Sequence, residues 1–289
     1  MATLPKTILL LAAAITPAFG FCGSRTHLDR RAEGEETVPL ATFGYIGTGG
    51  PLLWHHLSPE NALCSTGSNQ SPINMVEGSF TLVPGSNLTV TLPDEVPETS
   101  FENLGSTIEV VMEGLGGALE LNGLEYELLQ FHFHHPSEHV DNGASMPMEM
   151  HMVFSHETQL AVIGVYIDLV DSPQSNSSRL LLQRSTSSAM LESIFSAIDG
   201  IAAPGTVTKT PAFSMSELSD LLAAADFQRY SGSLTTPPCS EGVEWSVPTK
   251  KLLLSRQTFA KVRDVVGFNS RYPQNAPGMT NLLAMAKLE

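Results

Sequence analysis

Positive charge is scarce in this chain. Fifteen Lys and Arg stand against 30 Asp and Glu, a formal net charge of −15. A nucleic-acid partner calls for a basic footprint, and an anionic membrane surface calls for basic residues, so the balance excludes both. Solubility explains an acidic surface of this kind. Apolar runs of bilayer length are missing as well. Ile8 to Ile15 is too short to span, and the chain ends in Lys287 and Glu289 rather than in a hydrophobic anchor signal. No membrane anchor is therefore expected. Repeats, low-complexity stretches and long linkers are also absent after about residue 40, which favours one domain over residues 41–289. Apolar content is ordinary for a chain with a real core.

Cysteine is nearly absent too: three residues in all. The N-terminus reads as a secretory signal over residues 1–20, with Lys6 as its charged start, Ile8 to Ile15 as its apolar centre and Ala18, Phe19 and Gly20 as small residues for cleavage. A polar, flexible segment follows over 21–40, and its Arg30-Arg31 pair resembles a propeptide processing site. Cys22 falls at the signal boundary. That leaves Cys64 and Cys239 as an even pair in an oxidising compartment, for which a disulfide is expected. Closing so long a loop contributes about 4–5 kcal/mol in the chain-entropy model, less any strain. Three sequons, at Asn69, Asn87 and Asn176, fit a secreted glycoprotein. Asn69 fits least well because Pro72 follows so closely.

What is plentiful is β pattern. Thr89–Leu92, Ser106–Met112, Ala118–Leu121, Glu125–His134, Met148–Phe154 and Gln159–Leu169 are rich in Val, Ile, Leu, Thr or aromatics, often with period-two alternation. Asn122-Gly123 predicts a hairpin turn, and Asp141-Asn142-Gly143 a loop. Helices are expected over Leu180 to Ile198, over Ser214 to Ala225 behind a Ser214–Glu217 capping box, and over Ser255 to Val266 with Ser255 as N-cap and Gly267 as stop. Residues 41–60 read as an irregular wrap. The expected fold is mainly β (α+β): a large twisted central sheet with short peripheral helices.

The stretch Gln130-Phe131-His132-Phe133-His134 carries the chemistry. On a strand, His132 and His134 share one face while Phe131 and Phe133 share the other. His151 follows in a second alternating run, Met148 to Val153. If the two runs are neighbours, three imidazoles converge, and three neutral imidazoles with an open fourth position make a catalytic zinc site. By itself, His151 among Met and Val reads as a hydrogen-bonded interior residue. The context adds Gln130 two residues before His132, and Glu149 two before His151, each on its histidine's face. Metal-bound histidines pass their other N–H to such acceptors, and burying these polar pairs without partners costs too much. The other local signature is Ser231 to Cys239. Its Thr235-Thr236-Pro237-Pro238 is an ordinary Ser/Thr/Pro loop by composition, or a stiff one that holds a hydroxyl able both to donate and to accept.

Taken together, Gln70-Ser71-Pro72-Ile73-Asn74, Gln130 to His134, Ser137-Glu138-His139, Glu149-Met150-His151, Gly232 to Pro238 and Asn269 to Gln274 resemble an α-class carbonic anhydrase of the secreted type, from about Phe43 to about Pro277. The resemblance implies zinc (Zn2+) on His132, His134 and His151, with Gln130 and Glu149 behind them. It implies reversible hydration of CO2 to bicarbonate and a proton by attack of zinc-bound hydroxide, with weak esterase side activity. Thr235 would orient that hydroxide while giving its own proton to Glu138. Val153, Val162, Leu234, Thr236, Val243 and Trp245 would line the substrate pocket, and Tyr45, Tyr230 and His139 resemble the family's polar network and structural core. The Cys64–Cys239 pairing also resembles that of secreted members. Oligomeric state, monomer or homodimer, stays open.

One position departs from the fast members of that family. Their shuttle histidine follows an Asn-x-Gly pattern, whereas Asn103-Leu104-Gly105 leads here into Ser106, which does not titrate near neutrality. Turnover limited by proton transfer is the expectation. Glu109 is at best a weak relay, given an ordinary Glu pKa of about 4.3. His135 alternates away from the metal and reads as structural, and His55 and His56 as surface or packing residues. Two rivals remain. His132-x-His134 followed by Glu138 also mimics a first cupin motif, with iron or manganese, but no histidine follows His156 to complete a second. A non-enzymatic relative would have lost a zinc ligand, and all three are present.

Overall fold

The computed structural model describes residues 37–170 and 186–286. The signal and processing segments, Cys22, Asn176 and the first part of the Leu180–Ile198 helix lie outside those residues. A 12-stranded mixed sheet dominates. Across its main path the strands run Val207–Lys209, Ser100–Asn103, Ile108–Val111, Leu124–His134, Met148–His156, Gln159–Val170, Glu241–Pro248, Asp226–Ser233 and Thr81–Pro84. Most neighbours are antiparallel. Gln159–Val170 pairs in parallel with both Glu241–Pro248 and Leu252–Ser255.

The two histidine strands are adjacent because the chain between them is short and turn-rich. Asp141-Asn142-Gly143 closes a small hairpin between Val140–Asp141 and Ala144–Ser145, with Asn142 at φ 46° and Gly143 at φ 87°. Asn122 and Gly123, at φ 53° and 80°, turn Ala118–Leu121 into Leu124–His134, the left-handed pair such a two-residue turn requires. Alternation then sorts the side chains. Phe131, Phe133, Met150, Met152, Ile163 and Val165 enter one apolar core, shared with Leu191, Phe195 and Leu218 of the helices on that side. Val153, Val162, Tyr230, Leu234, Val243 and Trp245 form a second cluster on the opposite face.

Several sequence expectations shift. The Leu180–Ile198 helix is confined to Ala189–Phe195 among its described residues, with Ser188 as N-cap. The Ser214–Glu217 capping box does not form. That helix is Ser216–Ala223, Ser214 sits in a short strand, and the Glu217 carboxylate accepts from the Ser188 hydroxyl and the Ala189 N–H instead. A tertiary partner outcompetes the local cap. Arg256–Val266 matches its expectation: Ser255 Oγ accepts from Thr258 N–H, and Gly267 stops the helix at φ 65°. Asp226–Ser233 is a strand although its sequence suggests only a loop from Ser231, and Glu241–Pro248 is a further strand that the sequence pattern does not announce. The disulfide forms between Cys64 and Cys239, 175 residues apart. Of the sequons, Asn87 is exposed, while Asn69 is half-buried and accepts from Gly278 N–H at 2.9 Å.

Candidate active site

His132, His134 and His151 meet on the face opposite the phenylalanines. Register makes the meeting unavoidable: His151 lies directly across from His132, and Glu149 across from His134. All three imidazoles are buried, and one nitrogen from each lies within 4.8 Å of the others. The remaining nitrogens are engaged. His132 Nδ1 meets Gln130 Oε1 at 2.9 Å, His134 Nδ1 meets the Asn269 carbonyl at 2.8 Å, and His151 Nε2 meets Glu149 Oε1 at 3.0 Å. These acceptors fix which nitrogen faces inward. The inward Nε2 of His134 and Nδ1 of His151 are shielded from solvent and make no hydrogen bond. Burial lowers the pKa of His134 to about 4, against the pull of the Asn269 carbonyl, and burial also lowers His151. Three convergent imidazoles, two of them kept neutral by burial, form a donor set that fits zinc, which takes such nitrogens at about 2.0–2.1 Å.

Glu149 sits behind this centre. Burial alone would raise its pKa, but His139 and His151 hold it well below the usual carboxylate range. Its Oε2 accepts the backbone N–H groups of Glu138 and His139 at 2.9 and 2.8 Å, and Oε1 lies 2.6 Å from His139 Nδ1. The chain continues through His139 Nε2 to Tyr230 Oη at 2.7 Å, and from Tyr230 to Ser71 Oγ at 2.8 Å. Glu149, His139, Tyr230 and Ser71 thus form one hydrogen-bonded chain, while Gln130 serves His132. Tyr45 is half-buried and edge-on to Trp54 and Phe43.

Glu138 is fully buried beside the inward nitrogens of two of the rings. Its Oε2 is 3.5 Å from His134 Nε2 and 3.9 Å from His151 Nδ1. Burial raises its pKa to about 7, opposed by His151, by a hydrogen bond from Thr235 and by the Arg271 N–H. Sequence reasoning assigned no role to Arg271 or Asn269. The Arg271 N–H donates to Glu138 Oε1 at 2.8 Å, while its buried guanidinium donates to the Ser71 and Cys64 carbonyls and to Gln70 Oε1. The Asn269 contribution to the site is also a main-chain group. The motif containing both residues was visible, but backbone donors and acceptors leave no residue-type signal.

The residues expected to form an apolar wall come from four neighbouring strands. Val153 pairs with Val162, Val162 with Trp245, and Gly232 with Val243, while Leu234 lies just past the end of Asp226–Ser233. Thr236 is buried beside them in sequence. Glu109, read above as a weak relay, is fully buried opposite His132 and thus has no solvent side. Ser106 is 5% exposed. His135 is structural: it meets the Gly267 carbonyl and the Phe259 ring. His55 and His56 pack on each other with ring centroids 4.0 Å apart.

Residues 49–281 match the model of the eukaryotic-type carbonic anhydrase family. The chain belongs to that family. The carbonic anhydrase of Neisseria gonorrhoeae is 34% identical over 85% of this chain and 83% of its own. Among solved structures, the fungal alpha carbonic anhydrase of Aspergillus oryzae superposes with a TM-score of 0.77 at 36% identity, covering 86% of this chain and all of that one. The alpha-carbonic anhydrase of Thermovibrio ammonificans gives 0.69 at 35% identity over 83% and 98%. This carbonic anhydrase fold comes with an enzyme class, the hydration of carbon dioxide, and with a family that generally uses zinc. The Cys64–Cys239 disulfide is present, and no helix among the described residues is long and apolar enough to cross a membrane.

Proposed function

We propose that this chain hydrates CO2 reversibly at a zinc ion held by His132, His134 and His151, with Thr235 and Glu138 as the orienting pair. The carrying observation is the convergence of three buried imidazole nitrogens, each backed by its own acceptor. A zinc ion there would supply Lewis acidity and a water whose pKa is drawn toward neutrality, a behaviour for which carbonic anhydrase is itself the standard example. The protein's residues do the rest. Thr235 spends its hydroxyl proton on Glu138, so its oxygen is left as an acceptor toward the centre of the rings. That polarity aims a proton-bearing nucleophile and disfavours ligands with no proton to give. Val153, Val162, Leu234, Thr236, Val243 and Trp245 offer an apolar surface suited to a small, uncharged substrate. Esterase activity would be a weak side reaction of the same site.

With Ser106 in place of a titrating side chain, and Glu109 sealed from solvent, the proton leaves through buffer rather than through a histidine shuttle. The chain would act outside the cell, after loss of residues 1–20 and with glycans on its sequons, Asn87 being the most accessible of the two described. The decisive experiment is a CO2 hydration assay on protein stripped of metal and then reloaded with zinc, beside His132→Ala. Activity should vanish on stripping, return with one equivalent of zinc, and stay absent in the variant. Stripped protein that keeps its rate would refute the proposal.

A further inference from the structure

The Glu149 carboxylate has only one place to sit. Both of its oxygens are buried and held: Oε1 by His151 and His139, Oε2 by two backbone N–H groups. That place is the space above Gly164. Gly164 lies on Gln159–Val170 directly opposite His151, in the alternating set with Val162 and Tyr166 that faces the site. Its φ lies outside the left-handed region, so backbone freedom does not explain a glycine there. Room does. A Cβ at this position would stand 2.7 Å from Glu149 Oε1, 3.4 Å from Trp245 Cζ3 and 3.5 Å from His151 Cδ2. The first distance is far inside contact, and the carboxylate cannot swing aside without giving up its partners. Trp245 cannot yield readily either. Its Nε1–H donates to the Ser233 carbonyl at 2.9 Å, and its ring centroid lies 4.8 Å from those of both His151 and His139.

We infer that Gly164 is a positioning residue of the metal centre: the missing side chain lets the Glu149 carboxylate lie against His151, and so sets the direction and basicity of the third imidazole. The inference rests on the reading of His132, His134 and His151 as zinc ligands. Gly164 touches no substrate and acts only through Glu149. A purely structural glycine would be needed whatever stood at position 149, whereas this one should matter only while a glutamate stands there.

The test is zinc dissociation into excess chelator for wild type, Gly164→Ala, Glu149→Ala and the double variant, with near-ultraviolet circular dichroism to check the fold. Loss of a hydrogen-bond partner of a metal ligand typically costs 10–100-fold in affinity. Gly164→Ala should therefore release zinc roughly 10–100 times faster than wild type. In the Glu149→Ala background the same change should have no further effect, since non-additivity marks a shared mechanism. A wild-type release rate in Gly164→Ala, or effects that multiply in the double variant, would overturn the inference. If Gly164→Ala does not fold, Gly164→Ala/Glu149→Asp decides, because the shorter carboxylate vacates the contested space. Folded protein that releases zinc at the rate of Glu149→Asp alone supports the inference, and an unfolded double variant overturns it. Wild type that binds no zinc would instead bring down the ligand assignment on which the inference stands.

Discussion

Thr235 and Glu138 are joined by a hydrogen bond, and neither is exposed to solvent. In the proposed mechanism Thr235→Ala removes the hydroxyl that would accept from the nucleophile and leaves the three imidazoles themselves in place. Losing one positioned catalytic hydrogen-bonding group costs about 10²-fold in rate, or ~2.7 kcal/mol of transition-state stabilisation. Zinc content should not change, because no metal-facing nitrogen depends on Thr235. Glu138→Gln tests the same link from the other end. A carboxylate can only accept, whereas an amide can also donate, so Thr235 would no longer be obliged to send its proton inward. A loss of similar size is expected. Because the two groups act in series, the double variant should be about as slow as the worse single variant, not slower by the product. Stopped-flow CO2 hydration on protein verified to carry one zinc per chain measures all four species. Penalties that multiply, or a fully active Thr235→Ala, would refute the orientation chain.

Three further outcomes follow. Turnover should rise with the concentration of an imidazole-type buffer, because Ser106 offers no proton relay; a rate indifferent to buffer would contradict this. Burial lowers the His134 pKa to about 4, and a lowered histidine pKa keeps the ring neutral to lower pH. In metal-free protein the ring NMR signals of His134 should therefore show no protonation from pH 7 to about 5.5, and a transition centred near the unperturbed value of 6.5 would oppose the reading. Replacing both Cys64 and Cys239 by Ser frees a loop of 175 residues and should cost roughly 5 kcal/mol of unfolding free energy. A denaturant titration that finds less than about 1 kcal/mol would show that the unfolded chain is already constrained in some other way.

Much of this site was legible because strand alternation is a strict rule. Phe131 and Phe133 had to leave the face that His132 and His134 share, and Gln130 and Glu149 had to join their histidines. Local turn and cap chemistry was legible for the same reason: Asn122-Gly123 and the Ser255 cap involve near neighbours only. The failures lie where distant partners decide. Glu217 left its expected capping role for Ser188 and Ala189. Asp226–Ser233 carries Gln, Arg, Ser and Gly, so it reads weakly as a strand, yet its neighbours in the sheet define it as one. Gly164 reads as an unremarkable break in an apolar run until the carboxylate above it is seen.

The parallel pairing of Gln159–Val170 with Glu241–Pro248 also bears on the order in which the molecule is completed. The three histidines come from one antiparallel pair, close in sequence and quick to close. The half of the pocket supplied by Leu234, Val243 and Trp245 arrives only after a long crossover, and contacts of that kind form late. His134, however, takes its acceptor from the Asn269 carbonyl, later in the chain than any of these, so the proposed metal centre and its apolar surroundings are completed at the same late stage rather than one after the other.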